Sequence, residues 1–182
     1  IQVCFDRHRT AINNTITTVL CTICYDDFVN AADEFVKISD RIKDGWKLVQ
    51  NQNDKSKSHL KKESFIACGR TNGSTLLKTE YVIFYNQSYG VPSFSFNLWD
   101  SSGVLLTLER IRQMSFISEK DFYSVITQQE HPIFFRPYFM MHPCHTEELL
   151  TLFKNKSKNI IVTFLGLITP LIKLNLPLQY GL

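Results

Sequence analysis

Two β-forming runs stand almost end to end in the middle of the chain. Residues 77–89, "LKTEYVIFYNQSY", are dense in β-branched and aromatic side chains. Residues 93–99, "SFSFNLW", set Phe94 and Phe96 in alternation with Ser93, Ser95 and Asn97. Between them lies Tyr89-Gly90-Val91-Pro92, a Gly/Pro pair suited to a tight connection. A hairpin of this kind needs an apolar partner for its aromatic face, and the sequence offers one upstream. Phe28, Ala31, Ala32, Phe35, Ile38 and Ile42 recur at spacings of three and four, opposite Asp33, Glu34, Lys37, Asp40 and Lys43. That pattern predicts an amphipathic helix over about 22–44, stopped at Gly45.

Two further strands are expected, "WKLVQ" (46–50) and "SFIACGR" (64–70), with "TNGS" as a turn after the second. The lysine-rich 51–63 reads as a mobile, solvated loop. Four strands in sequence give an antiparallel meander with one face on the first helix. After the turn "DSSG" (100–103), helices are expected at 105–114 and 118–128, then an irregular "HPIFFRP" and a short apolar "YFMM". A helix over 146–155 should be capped by Thr146 and bury Leu149, Leu152 and Phe153. "NIIVTFLGLI" (159–168) reads as another helix, and residues 173–182 as an extended tail. The class is α+β. Residues 1–20 show no clean period and are taken as a poorly defined N-terminal extension; 21–182 form a single domain.

Bulk properties narrow the function. A net charge of +3, concentrated in one lysine-rich segment, gives no argument for nucleic acid. The longest apolar run, Ile160–Ile172, is too short for a bilayer, which takes about 20 residues. No stable membrane insertion is therefore expected. Five widely spaced cysteines do not make a disulfide framework. No charged-then-apolar leader opens the chain, so the sequons at Asn13, Asn72, Asn86 and Asn155 read as chance. A reducing cytoplasmic setting is expected.

The chemistry concentrates in "MHPCH" (141–145). Pro143 ends any ladder before it, and Thr146-Glu147-Glu148 opens a helix, so Cys144 should lie in a bend before a helix N-terminus. Such a place favours a thiolate. Three readings remain open on local grounds: a nucleophile, an inert buried thiol, and a zinc ligand with His142 and His145. The zinc spacing is poor, because paired ligands usually stand two or more residues apart. Cys21-Thr22-Ile23-Cys24 has suitable spacing but no second pair, and one or both thiols are expected to face the core. A peptidase would need a base from elsewhere, His131 or earlier, and nothing in the spacing supports it.

The motifs then match a family. "FMMHPCHT" (139–146) resembles the His-Pro-Cys catalytic motif of the ubiquitin-like-conjugating enzymes of autophagy. "TEYVIFYNQSYGVPSFSF" (79–96), "ITQQEHPI" (126–133) and "LNLPLQY" (174–180) resemble the autophagy-related protein ten family within it. The lipid-conjugating relative, of autophagy-related protein three type, carries a long insertion for which this chain has little room. The resemblance covers about residues 25–180. It implies a ubiquitin-conjugating-enzyme-like fold: a first helix on a four-stranded meander, the active-site segment, then C-terminal helices.

The implied activity is that of a transferase. Cys144 would take the C-terminal glycine of a ubiquitin-like modifier, autophagy-related protein twelve, as a thioester from an activating enzyme. It would then pass the glycine to a lysine of autophagy-related protein five. No cofactor is implied, since the activating enzyme consumes the ATP. The Asn that ordinary ubiquitin-conjugating enzymes place upstream of their cysteine is absent here. Tyr89 and His142 are therefore expected beside the thiol, with Asn86 behind them and Thr146 as a helix cap. The alternatives are an inactive binding adaptor of the same fold and the lipid-conjugating relative of autophagy-related protein three type.

Overall fold

The first helix, α1 (Tyr25–Ile42), forms because its ends are satisfied locally and its apolar stripe has a sheet to cover. Cys24 is the N-cap. Its thiol accepts the Asp27 N–H at 3.3 Å, and the Asp27 carboxylate accepts the Cys24 N–H at 3.3 Å, a capping box. Cys24 is therefore exposed at a helix end and does not face the core; of the two thiols of which one or both were expected to do so, Cys21 lies outside the described residues. At the other end Lys43 adopts a left-handed conformation, φ 57°, and Gly45 follows at φ 86°. Ser39 Oγ then accepts the Trp46 N–H at 3.0 Å, which turns the chain and buries the indole against Phe35.

These elements come from a computed structural model that describes residues 23–68, 75–115, 119–143, 146, 150, 152–153, 156–172 and 174–182. The extension expected over 1–20 lies outside them.

The sheet has six strands, all antiparallel: β1 (Lys47–Val49), β2 (His59–Cys68), β3 (Thr75–Asn86), β4 (Val91–Trp99), β5 (Ile126–Glu130) and β6 (Pro137–Met141), in the order β1-β2-β3-β4-β6-β5. The expected four-strand meander is present, and a second hairpin extends it. Two differences have clear causes. The 51–63 segment is a loop only as far as Ser58, because Leu60 is buried and β2 pairs with β3 from His59↔Phe84 onward. Its lysines are engaged: Lys62 Nζ lies 2.6 Å from Asp44, and Lys61 reaches Glu63 and Glu80. Likewise the helix expected over 118–128 stops at Val125, where Ile126 enters the ladder opposite Met141.

On the helix side, Tyr81, Ile83, Phe94, Phe96, Phe139 and Met141 meet Phe28, Ala32 and Phe35 of α1. Two short helices, α2 (Leu108–Met114) and α3 (Glu119–Val125), follow the meander, and the apolar run Ile160–Ile172 is a helix, here α4, whose Ile161, Phe164, Leu165 and Ile168 join the same core. Asn159 caps it through the Ile161 N–H and ties it to α1 by donating to the Ala31 carbonyl at 2.8 Å. No helix among the described residues is long and apolar enough to cross a membrane. Of the helix expected over 146–155, Leu152 and Phe153 lie in a turn. Leu152 is 69% exposed, so it does not share a buried face with Leu150.

The tail is more than extended chain. Leu178–Gly181 makes a 3-10 turn that stacks Tyr180 on Phe35, centroids 4.4 Å apart, and donates the Tyr180 hydroxyl to Asp44 at 2.9 Å. Phe35 thus joins α1, Trp46 and the tail. Phe35→Ala should destabilise the protein by about 3–5 kcal/mol in chemical denaturation, as other buried Phe deletions do. A loss below about 1 kcal/mol would show that the tail and Trp46 pack independently of it.

Candidate active site

Antiparallel pairing of β4 with β6 decides what shares an end of the sheet. The register is Ser95↔Met140 and Phe96↔Phe139, so β6 leaves the sheet at the end where β4 enters it. That end is built by the β3–β4 connection. Asn86 Oδ1 accepts the N–H groups of Ser88 and Tyr89 at 3.1 and 3.3 Å, and the Gly90 N–H returns to the Asn86 carbonyl at 2.8 Å. Gly90 sits at φ 62°, where glycine has no steric penalty. The Gly90 carbonyl then accepts the Ile23 N–H at 2.8 Å, and the Tyr85 hydroxyl donates to the Ile23 carbonyl at 2.8 Å. The start of α1 is thereby fastened to this connection.

His142 follows β6 directly, and its N–H donates to the Val125 carbonyl at 2.9 Å, so α3 (Glu119–Val125) anchors the exit of β6. His142 and Pro143 are half-buried. Tyr89 is half-buried against the main core. Tyr89 and His142, both singled out from sequence, therefore stand at the same end of the sheet. Asn86 is there too, but its side-chain oxygen is spent on the turn, which is the physical reason for that residue. Thr146 is buried, 4% exposed. Cys144 and His145 lie outside the described residues, as does Cys21. Among the described residues, no group of three or more His, Cys, Asp or Glu side chains could hold a metal ion.

His131, the remote base a peptidase would need, is elsewhere and otherwise employed. It is 0% exposed, on the opposite face of the sheet from α1. Its Nδ1 accepts the Ile133 N–H at 3.1 Å, which leaves Nε2–H to donate to Ser95 Oγ at 3.0 Å. The ring packs against Phe84, Phe134 and Tyr138. Burial, with help from His59 and Arg136, pushes its pKa down to about 3. Nearby, Glu80 is buried among Lys61, Arg136 and the Tyr138 hydroxyl, which donates to it. Sequence reading did not find this cluster. Its one signal is the alternation of Ser93, Ser95 and Asn97, which usually marks a solvated face.

A family model described as "Autophagocytosis associated protein, active-site domain" matches residues 27–179. The chain belongs to that family. Among its curated relatives, Ubiquitin-like-conjugating enzyme ATG10 of Homo sapiens is 38% identical over 121 residues, 59% of this chain and 54% of the relative. The Arabidopsis thaliana protein of the same name is 30% identical over 115 residues, 55% of this chain and 51% of the relative. The chain thus spans about half the length of the curated relatives it matches. The solution structure of KmAtg10 aligns at 17% identity with a TM-score of 0.40, over 83% of this chain and 93% of that one. The matched family segment contains Tyr89, the β5–β6 hairpin and the whole of "HPCHT".

The buried imidazole has a measurable signature. The unfolded chain protonates His131 near the ordinary 6.5, and the folded chain not until about 3. Between those values the unfolded state binds more protons, so stability falls as pH drops from about 6.5 toward 3. His59, also lowered by burial, acts in the same direction. Denaturant midpoints measured across this range should show that slope, and His131→Gln should make it shallower. An unchanged slope in the variant would mean that the proton uptake lies elsewhere.

Proposed function

We propose that the chain is a ubiquitin-like-conjugating transferase whose Cys144 carries the modifier as a thioester. The observation that carries the reading is the family match, which spans His142-Pro143-Cys144, in a chain whose β6 ends at the same end of the sheet as the Tyr89 connection. The modifier proposed is autophagy-related protein twelve, and the acceptor is a lysine of autophagy-related protein five. The reaction runs in the cytoplasm.

Two acyl transfers are required. First, the Cys144 thiolate attacks the carbonyl of the modifier's C-terminal glycine on the activating enzyme, whose own thiolate leaves. Then a neutral lysine amine of the acceptor attacks the new thioester. The C–S bond breaks, the Cys144 thiolate departs, and the amine loses a proton to give an isopeptide bond. A thiolate suits both roles, as nucleophile and as leaving group. Each step passes through a tetrahedral oxyanion that needs donors. In the absence of the usual Asn, the Tyr89 hydroxyl and the His142 imidazole are the groups proposed to supply them.

Incubation with activating enzyme, modifier and ATP should give a reductant-sensitive adduct, and Cys144→Ser a reductant-resistant oxyester. Tyr89→Phe should slow both loading and discharge by on the order of 10²-fold, the usual effect of losing one oxyanion donor. A wild-type chain that binds its partners yet forms no adduct would be a binding adaptor, and the transferase reading would fall.

A further inference from the structure

The β5–β6 hairpin is joined to the rest of the sheet by little backbone. β3 and β4 run in register from Lys78↔Trp99 to Asn86↔Val91, but β4 and β6 pair only at Ser95↔Met140 and Phe96↔Phe139. The ladder is short, and a slip by one residue would send every β6 side chain to the other face.

Side chains supply what the ladder lacks. Asn97 Nδ2 donates to the Pro137 carbonyl at 3.0 Å, at the start of β6. Arg136 Nη2 donates to Glu80 at 3.1 Å and to the Tyr138 hydroxyl at 2.7 Å. His131 does two separate jobs. Its Nδ1 and its backbone shape the β5–β6 connection, through the Ile133 N–H and through a bond from the His131 N–H to the Arg136 carbonyl at 2.9 Å. Its Nε2 reaches out of the hairpin to Ser95, the residue that pairs with Met140. Met140 stands two residues before His142.

We propose that His131 is a positioning residue: through Ser95 it seats the β5–β6 hairpin on β4, and so sets where His142 stands relative to Tyr89. This rests on the transferase reading above. The bond acts at the fulcrum of the lever. Loss of it leaves β6 attached near its exit only by a two-residue ladder, with the Asn97 and Glu80 contacts confined to its start, and displacement at Met140 is passed along the strand to its catalytic end. Misplacement by about 1 Å can cost reactions of this kind on the order of 10²-fold.

The two nitrogens can be tested separately. Asn at 131 presents its oxygen where Nδ1 stands and cannot reach Ser95; Gln presents its amide nitrogen where Nε2 stands. His131→Asn and Ser95→Ala should therefore slow single-turnover discharge of the modifier by on the order of tenfold. The activating-enzyme concentration that half-saturates loading should stay unchanged, and His131→Gln should restore discharge. All variants are compared at a temperature where near-UV circular dichroism shows them folded. Iodoacetamide alkylation of Cys144, read by peptide mass spectrometry, supplies a measure independent of partners: its pH profile should shift in His131→Asn and Ser95→Ala and return in His131→Gln. Wild-type rates and profiles in the first two variants would overturn the proposal. So would equal losses in all three variants. If the wild type itself does not load, the transferase reading fails, and the alkylation profiles alone decide whether His131 seats the hairpin.

Discussion

Burial of β4 on both faces is the constraint on which the rest of the molecule depends. Phe94, Phe96 and Leu98 point into the α1 core, while Ser93, Ser95 and Asn97, on the other side, are just as inaccessible. The apolar face is solved in the ordinary way, by helices. The polar face cannot be, because buried hydroxyls and amides need partners. The segment 131–138 provides some of them: the His131 imidazole for Ser95 and the Pro137 carbonyl for the Asn97 amide nitrogen, with Arg136 and Tyr138 answering Glu80 of the neighbouring β3, while Ser93 Oγ and Asn97 Oδ1 stay unpartnered among the described residues. Covering that face draws the β5–β6 hairpin onto β4. The same movement brings the end of β6 beside the start of β4. The location of the candidate site is therefore tied to how the polar side of one strand is covered.

The parts of the fold legible in sequence were those with a strong local period. The 28–42 stripe, the aromatic alternation of β3 and β4, and the apolar run of α4 each declare their structure without reference to anything distant. What was not legible depends on pairing. Nothing in "SKSHLKKE" announces a strand, because β2 takes its place from β3 and its lysines meet Asp44 and Glu80 from two other segments as well as Glu63 of their own strand. Ile126-Thr127-Gln128 continues a helical pattern on paper and becomes β5 only because Met141 lies opposite. Tyr180 looks like part of a loose tail until Phe35 and Asp44 are brought beneath it.

The candidate site divides the same way. The motif residues themselves could be picked out, since His-Pro-Cys and the Tyr-Gly-Val-Pro connection are compact in sequence. That Tyr89 and His142 share an end of the sheet follows from an antiparallel register that no local pattern encodes. Asn86 stands at that end as well, and its oxygen holds the turn together, a role that no local pattern in the sequence announces. His131 was considered only as a remote base. Its neutral, doubly bonded imidazole belongs to the architecture.

A helix capped by a thiol ties the chain's mechanical integrity to sulfur chemistry. Sulfur is a weaker acceptor than the oxygen of the Ser, Thr, Asp or Asn that usually fills the position, and Cys24 is exposed. Oxidation or alkylation there would remove the acceptor of the Asp27 N–H and add bulk at the first turn of α1. The disturbance would not remain local, because Ile23 is bonded both to Gly90 and to Tyr85. A chemical insult at one surface thiol would thus reach the Tyr89 connection through two hydrogen bonds.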